Sequence, residues 1–242
     1  MLRAIKQIQG NKLGATDGEI GHIKDFYFDD VNWMIRYVVA DTGSWLPGRL
    51  VLVSPRSIER LYQSGNMLLV NLTREQIEKS PPIDAHKPVS RQHEEEFYRY
   101  YGWPYYWEGA GVWGMSGFPI LTERAEPFHG EQRKDASKPQ TTADSHLRSV
   151  ETIIGYKVEA GSHSVGYVED FLVDDESWAL RHAVVNVGSW HLNRKVLISP
   201  GEIEWISWDE SKVTLRLTKK AVLDLPDYVP TSCDISEKSI PQ

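Results

Sequence analysis

The sequence has one cysteine, no excess of basic residues and no long apolar segment, and each shortage excludes a class of protein. Cys233 stands alone in a polar stretch, so an internal disulfide is excluded. The formal net charge is −7 over 242 residues, whereas a general nucleic-acid binder needs a basic surface to displace counterions from phosphates. Apolar clusters are as short as Met67–Val70, far below the roughly 20 residues of a membrane-spanning helix. The first residues lack an apolar signal segment, so we expect a cytoplasmic location. Together, the charge and the short apolar clusters predict no nucleic-acid partner and no membrane span.

Sequence motifs for catalysis or metal binding are also missing. The chain has no glycine-rich phosphate loop, no cysteine pair at metal-ligand spacing and no nucleophile-elbow sequence. Its eight histidines are scattered, and none recurs at equivalent positions of the repeat described below. Because histidine binds metals in clusters with defined geometry, these side chains are expected to be surface or locally bonded groups. The sequence therefore predicts a protein that is not an enzyme and has no catalytic, cofactor-binding or metal-binding residue.

Aromatic residues, in contrast, are abundant, with nine tryptophans and eleven tyrosines. Part of this excess lies between residues 97 and 118 and includes Trp103 and Trp107. Such a segment can bury its rings against the rest of the chain, or it can present them to a partner. Intramolecular packing is the favoured interpretation, and partner binding by Trp103 and Trp107 stays open.

The chain repeats itself. Sliding it by 145 residues aligns residues 10–81 with residues 155–226 without a gap, with about 24 identities in 72 positions. Asp25-Phe26 returns as Asp170-Phe171, and Gly43-Ser44-Trp45 returns as Gly188-Ser189-Trp190. Identity at this level over a gapless stretch indicates two copies of one domain.

Each copy reads as a series of short strands. Apolar residues stand among polar ones over Ile20–Phe28, and a run rich in β-branched residues covers Ile35–Ala40. A third predicted strand, Leu50–Val53, ends at Ser-Pro. Thr73 with Gln76 three residues later has the pattern of a helix N-terminus. The sequence therefore predicts an all-β protein of two small barrels, each with a short C-terminal helix.

The repeat also divides the chain. We expect a first barrel over residues 1–82, an aromatic-rich and ordered connector over 83–120, and a disordered linker over 121–148. A second barrel then covers 149–228, and a flexible tail covers 229–242. Because matched surfaces associate about a two-fold axis, the two barrels are expected to pack on each other with the connector at their interface.

The repeated motifs resemble the PRC-barrel family. In the first copy they are Gly21–Phe26, Trp33–Val39, Gly43–Arg49 and Val51–Ile58, with an Asp-Asp pair between the first two. The family's β-barrel is shared by the cytoplasmic domain of the photosynthetic reaction-centre H subunit and by the C-terminal domain of ribosome-maturation factors. The resemblance implies two such barrels in pseudo-two-fold tandem, in a bacterial protein whose barrels serve as docking or assembly modules.

Four repeated residues are the best candidates for a binding surface. Trp45 and Trp190 follow Gly-Ser in predicted loops, where an aromatic ring offers a large contact area at low entropic cost. Arg49 and Arg194 follow the same loops. These tryptophans can instead cover the ends of the barrels, and both interpretations stay open.

Repeated charged residues have two interpretations as well. Asp25, Asp29 and Asp30, with their counterparts in the second copy, can hold hairpin turns or bind a hard cation, and the turn is favoured. Arg36 and Arg181 lie inside apolar strands, where pairing with a neighbouring acid such as Asp25 is favoured over anion binding.

The function that fits these observations best is a non-enzymatic protein-binding or assembly module with another protein as its partner. One alternative is a regulator that binds a small molecule or a metal in a groove between the barrels. The other is a protein similar to the reaction-centre H subunit and linked to photosynthetic electron transfer.

Overall fold

A computed structural model describes residues 1–61, 67–83, 89–120, 147–187 and 194–230. Its strands, in chain order, are β1 (Leu2–Ala4), β2 (Lys12–Ala15), β3 (Gly18–Asp29), β4 (Met34–Asp41), β5 (Leu50–Val53), β6 (Ile58–Leu61), β7 (Met67–Val70), β8 (Leu147–Ser149), β9 (Lys157–Ala160), β10 (His163–Asp174), β11 (Leu180–Asn186), β12 (Lys195–Ile198), β13 (Ile203–Ser207) and β14 (Lys212–Leu215). Its α-helices are α1 (Ile5–Ile8), α2 (Arg74–Glu78), α3 (Arg91–Tyr101), α4 (Val150–Ile153) and α5 (Lys219–Asp224).

The strands form two seven-stranded sheets of the same topology. The first sheet has the order β5-β4-β3-β2-β7-β6 with β8 added beside β3, and the second has β12-β11-β10-β9-β14-β13 with β1 beside β10. The prediction of an all-β protein is confirmed. A closed barrel is not found in the described part of the chain, where β5 and β6 each pair with one strand. We call β2–β7 with α2 the first unit and β9–β14 with α5 the second unit.

Local sequence explains most of these elements. The Thr73 hydroxyl accepts a hydrogen bond from the Gln76 amide, and the Gln76 side chain accepts one from the Thr73 amide, so the predicted N-terminus of α2 is confirmed as a capping box. Thr218 caps α5 in the same way through the Ala221 amide. Gly21 adopts a φ of 150°, and a Cβ there would clash with the carbonyl of Asp41 on the neighbouring strand. Its counterpart in the second unit is also a glycine for this reason.

The two units exchange their first elements. The arm made of β1 and α1 precedes the first unit in the chain, yet β1 pairs with β10 of the second unit, with Leu2 opposite Asp174. The arm made of β8 and α4 precedes the second unit, yet β8 pairs with β3 of the first, with Leu147 opposite Asp29. We call these two segments the exchanged arms.

Equivalent ion pairs hold both arms. Arg3 Nε lies 2.9 Å from Asp175 Oδ2, and Arg148 Nε lies 3.1 Å from Asp30 Oδ2. These four residues occupy matching positions at the same offset of 145. The repeat therefore begins at Leu2 and Leu147, eight residues earlier than the aligned stretch indicates.

The arms correct one predicted boundary. Leu147 and Arg148 belong to β8, whereas the sequence placed them in a disordered linker. A three-residue strand and a four-residue helix are too short to show hydrophobic periodicity, so no local pattern in the sequence predicts them. Residues 121–146 of the predicted linker and 231–242 of the predicted tail lie outside the described part of the chain.

The interface between the units continues into the hydrophobic core. Phe28 of the first unit and Phe171 of the second lie 6.3 Å apart between ring centroids. Trp33 and Trp178 lie just before β4 and β11, each with a positive φ. The Trp178 carbonyl accepts a hydrogen bond from the Ile35 amide, and the Trp33 carbonyl accepts one from the Leu180 amide. One contiguous core therefore contains buried residues from both units and from the connector.

Cutting the chain between residues 121 and 146, at an engineered protease site, is expected to leave a complex of two fragments. Each fragment keeps one arm bound to the other fragment, and the shared core remains buried. Size-exclusion chromatography with light scattering checks this. The cut chain should elute with the mass of the intact chain, and Leu147→Asp, which places a charge in the buried arm, should favour dissociation. Two separately eluting folded fragments would contradict the arm exchange.

Candidate functional site

The described part of the connector, residues 89–120, packs its aromatic rings mainly against the first unit. Ser90 caps α3 through the His93 amide, and Gly102 ends the helix with a left-handed conformation. Phe97 and Tyr98 are buried on the inner face of this helix. The ring of Phe97 meets that of Tyr37 in β4 edge to face, with centroids 5.2 Å apart.

Beyond the helix, Trp113 connects the connector to both units. The indole is 1% exposed, and its Nε1 donates a hydrogen bond of 2.9 Å to the Ser177 carbonyl of the second unit. Its own carbonyl accepts a hydrogen bond of 2.8 Å from Arg56 of the first unit. The prediction that the connector lies at the interface is therefore confirmed at this residue.

A buried arginine lies under the same ring. The Arg36 side chain is 1% exposed, and its Nη2 lies 3.0 Å from Asp29 Oδ2. The guanidinium carbon lies 3.9 Å from the centroid of Tyr106 and 4.9 Å from that of Trp113. The Arg36 Nη1 donates to the Val112 carbonyl.

This geometry corrects the predicted partner of Arg36, which is Asp29 and not Asp25. Both acids lie on β3, and Asp25 is occupied by the exchanged arm, where it accepts hydrogen bonds from Ser149 and from the Glu151 amide. Which of the two acids pairs with Arg36 depends on contacts across the interface, and the sequence of one strand does not contain them. Arg181, the counterpart of Arg36, is exposed, so the two equivalent arginines have different surroundings.

Repeated acids likewise divide between two roles. Asp29 accepts hydrogen bonds from the amides of Val31 and Asn32, and Asp174 does the same with Glu176 and Ser177, so the turn interpretation is confirmed for these two. The other four acids bind the arms. They are Asp25, Asp30, Asp170 and Asp175.

Glu94 on α3 is a carboxylic acid placed among tyrosines. It is 3% exposed, and it accepts hydrogen bonds of 2.8 Å from Tyr106 and 3.3 Å from Tyr37. Arg91 lies 2.9 Å from its other oxygen. Burial raises the pKa of Glu94 to about 7, although Arg91, the two tyrosines and the more distant Arg36 favour the charged form.

The raised pKa of Glu94 predicts a pH-dependent stability. The folded protein keeps this proton to a higher pH than the unfolded chain, so the free energy of unfolding falls as pH rises from about 4.5 to about 7. The difference in this free energy between the wild type and Glu94→Gln should decline across that window by at most about 1.4 kcal/mol per pH unit. Urea unfolding at several pH values measures it. Glu96→Gln, on the exposed face of the same helix, is the control for removing a carboxylate from α3, and a flat profile for Glu94→Gln would contradict the burial argument.

Trp103 and Trp107, the predicted partner-binding residues of the connector, are half-buried. Trp103 stacks on Tyr101 at 4.6 Å between centroids, and Trp107 stacks on Tyr105 at 4.7 Å. Arg91 lies 4.2 Å above the Trp107 ring. Both rings therefore already make contacts within the chain, and binding of a partner by their remaining surface stays a prediction.

Three of the four loop candidates lie in the described part of the chain. Trp45 is half-buried with the Arg74 guanidinium 4.6 Å from its ring. Arg49 donates to the carbonyls of Glu78 and Ser80 after α2, and Arg194 donates to the Leu225 carbonyl after α5. Both arginines therefore bind the C-terminal ends of equivalent helices, where a positive charge is favourable. Trp190 lies outside the described residues, and partner binding by all four stays a prediction.

Apolar side chains of the connector loop remain exposed where the two units meet. The exposed fraction is 37% for Val112, 88% for Met115, 46% for Phe118 and 58% for Ile120. Open grooves run beside this loop, lined by residues of both units. We call these four residues the apolar rim. The apolar rim was not among the residues predicted from the sequence, although the glycines at 111, 114 and 117 between apolar residues are a sign of a loop that does not bury its side chains.

Neither the protein-family models nor the curated proteins to which the chain was compared gave a match. In the described part of the chain, no helix has the length and apolar character needed to cross a bilayer.

Proposed function

We propose that the protein is a tandem PRC-barrel-type module that binds another protein through the apolar rim. The resemblance of the repeated motifs supports the family, and the two sheets of equal topology agree with a repeated small β domain. The observation that carries the function is the contrast within the connector. Phe97, Tyr98 and Trp113 are buried, whereas Met115 and Phe118, a few residues later, face the solvent.

Exposed apolar side chains of this size lower the solubility of a free protein, and a partner that covers them removes that cost. The rim lies on a loop fixed at Trp113 by hydrogen bonds to both units. A fixed loop loses little entropy when it binds, which favours recognition over nonspecific adhesion. The regulator and the H-subunit-like protein remain alternatives without an observation of their own.

Replacing Met115 and Phe118 by serine is expected to abolish capture of the partner without unfolding the chain. Both side chains are exposed, so the melting temperature should stay within a few degrees of the wild type. The intact chain is immobilised, the proteins that it retains are identified, and one of them is purified and titrated against each variant. The control is Trp205→Ser, which removes an exposed ring, 48% accessible, from the second unit. Equal affinity of the Met115→Ser/Phe118→Ser variant and the control would exclude the rim as the binding surface.

A further inference from the structure

One groove beside the apolar rim has a distinct chemistry. It has a volume of about 430 Å³ and lies between the turn that precedes β6, the turn that precedes β11, and residues 118–120 of the connector. Phe118 and Ile120 form its apolar wall, and both are about half exposed. A ligand therefore contacts both units and the connector at once.

The opposite walls are acidic. Glu59 of the first unit and Glu176 of the second unit line the groove, and both are exposed. Asp175 also lines it and is already paired with Arg3, whereas Glu59 and Glu176 form no ion pair within the described residues. Two carboxylates beside an apolar wall favour a partner with basic and apolar side chains and repel acidic partners and nucleic acid.

Arg56 is the one basic residue among the described residues that line the groove. Its side chain lines the groove and is 6% exposed, and its Nη2 is used by the Trp113 carbonyl. Its Nε is buried and has no hydrogen-bond partner in the described part of the chain. Because this side chain is buried and its terminal nitrogens donate to carbonyls of the connector, the charges that a ligand meets in the groove are those of the exposed Glu59 and Glu176.

The neighbouring strand favours an extended ligand. β6 begins in the wall of the groove at Ile58, and β7 is its one neighbour among the described strands. Glu59 forms a bulge in that pairing, which leaves its side chain at the outer edge of the sheet. An extended segment that lies along this edge places alternate side chains toward the acids and toward Phe118 and Ile120.

We propose that this groove binds an extended segment of a partner protein in which basic and apolar side chains alternate. The proposal rests on the proposed protein-binding function and specifies the chemistry of the partner. Lysine or arginine side chains pair with Glu59 and Glu176, and the apolar side chains contact Phe118 and Ile120.

The test uses the full chain and two labelled probe peptides, one in which lysine alternates with valine and one with glutamate in place of lysine. Fluorescence anisotropy measures both affinities. We expect only the lysine peptide to bind, with an affinity that falls as salt is added. The double variant Glu59→Lys/Glu176→Lys should lower its affinity by about tenfold or more.

The matched control reverses two exposed acids outside the groove. Glu204, the counterpart of Glu59 in the second unit, and Glu96 are both changed to lysine, which alters the net charge by the same amount. Because all four acids are exposed, both double variants should keep the wild-type melting temperature. Phe118→Ser should also lower the affinity for the lysine peptide, since it removes part of the apolar wall.

Equal weakening by the two double variants would overturn the proposal, because net charge and not the groove would then set the affinity. Equal binding of the two peptides would overturn it as well. Should the lysine peptide fail to bind while a captured protein still depends on Phe118, the assigned chemistry is wrong and the protein-binding function stands. If the lysine peptide does not bind and no captured protein depends on Phe118, both proposals are contradicted.

Discussion

Arg36→Ala is expected to lower the free energy of unfolding by about 3–5 kcal/mol, the usual cost of removing one partner of a buried ion pair. The variant leaves Asp29 buried at the interface without its counter-charge, although the Asn32 side chain and two turn amides still donate to it. It also removes the cation that lies against Tyr106 and Trp113 and frees the Val112 carbonyl. Urea unfolding followed by tryptophan fluorescence measures the loss.

The repeat supplies the control for this experiment. Arg181→Ala removes the same side chain at the equivalent position of the second unit, where it is exposed, and should cost about 1 kcal/mol or less. Similar losses for the two variants would show that the surroundings of Arg36 contribute nothing specific. A further variant, Arg36→Lys, keeps the charge but not the planar group, and an intermediate loss is expected from it.

Trp113→Ala is expected to cost about 3–5 kcal/mol, the range for removing a large buried aromatic side chain. The ring is 1% exposed, so the variant opens a cavity between the connector and the units and leaves the Ser177 carbonyl without its donor. Trp113→Phe keeps much of the ring but not the Nε1 donor and should cost about 1–3 kcal/mol.

Trp205→Ala measures the effect of losing an indole that is not buried. Its ring is 48% exposed in the second unit, and a change within about 1 kcal/mol is expected. If Trp113→Ala is tolerated equally well, the connector is a surface segment and does not stabilise the contact between the units. Limited proteolysis gives a second measurement, because a detached connector exposes Phe97 and Tyr98 to cleavage.

The sequence predicted the regular elements of the units well. β5 has the predicted bounds, and β4 extends one residue beyond each end of the predicted run. The capping box at Thr73 is present as expected. These features depend on alternation, turn residues and caps within a few positions, and the gapless repeat let one copy support the other.

The candidate site was predicted less completely. The sequence marked the connector as aromatic but did not separate buried Trp113 from exposed Phe118, because both are apolar residues in a loop without periodicity. It offered Arg49 and Arg194 as binding candidates without showing that both donate to carbonyls at helix ends, and partner binding by them stays a prediction. A charged loop residue has the same local sequence pattern whether it binds a partner or the end of a helix in its own chain.

The amino-acid sequence by itself determined the repeat, the all-β class and the strands of each unit, since these follow from local patterns and from identity between the copies. The tertiary structure alone decided which unit receives each arm, that Arg36 rather than Arg181 is buried, and that Met115 and Phe118 are exposed. The physical reason is that equivalent residues with equal local propensities differ here through contacts with segments more than 70 residues away, such as Val112 with Arg36. Such contacts depend on how the whole chain packs, and no short stretch of sequence contains them.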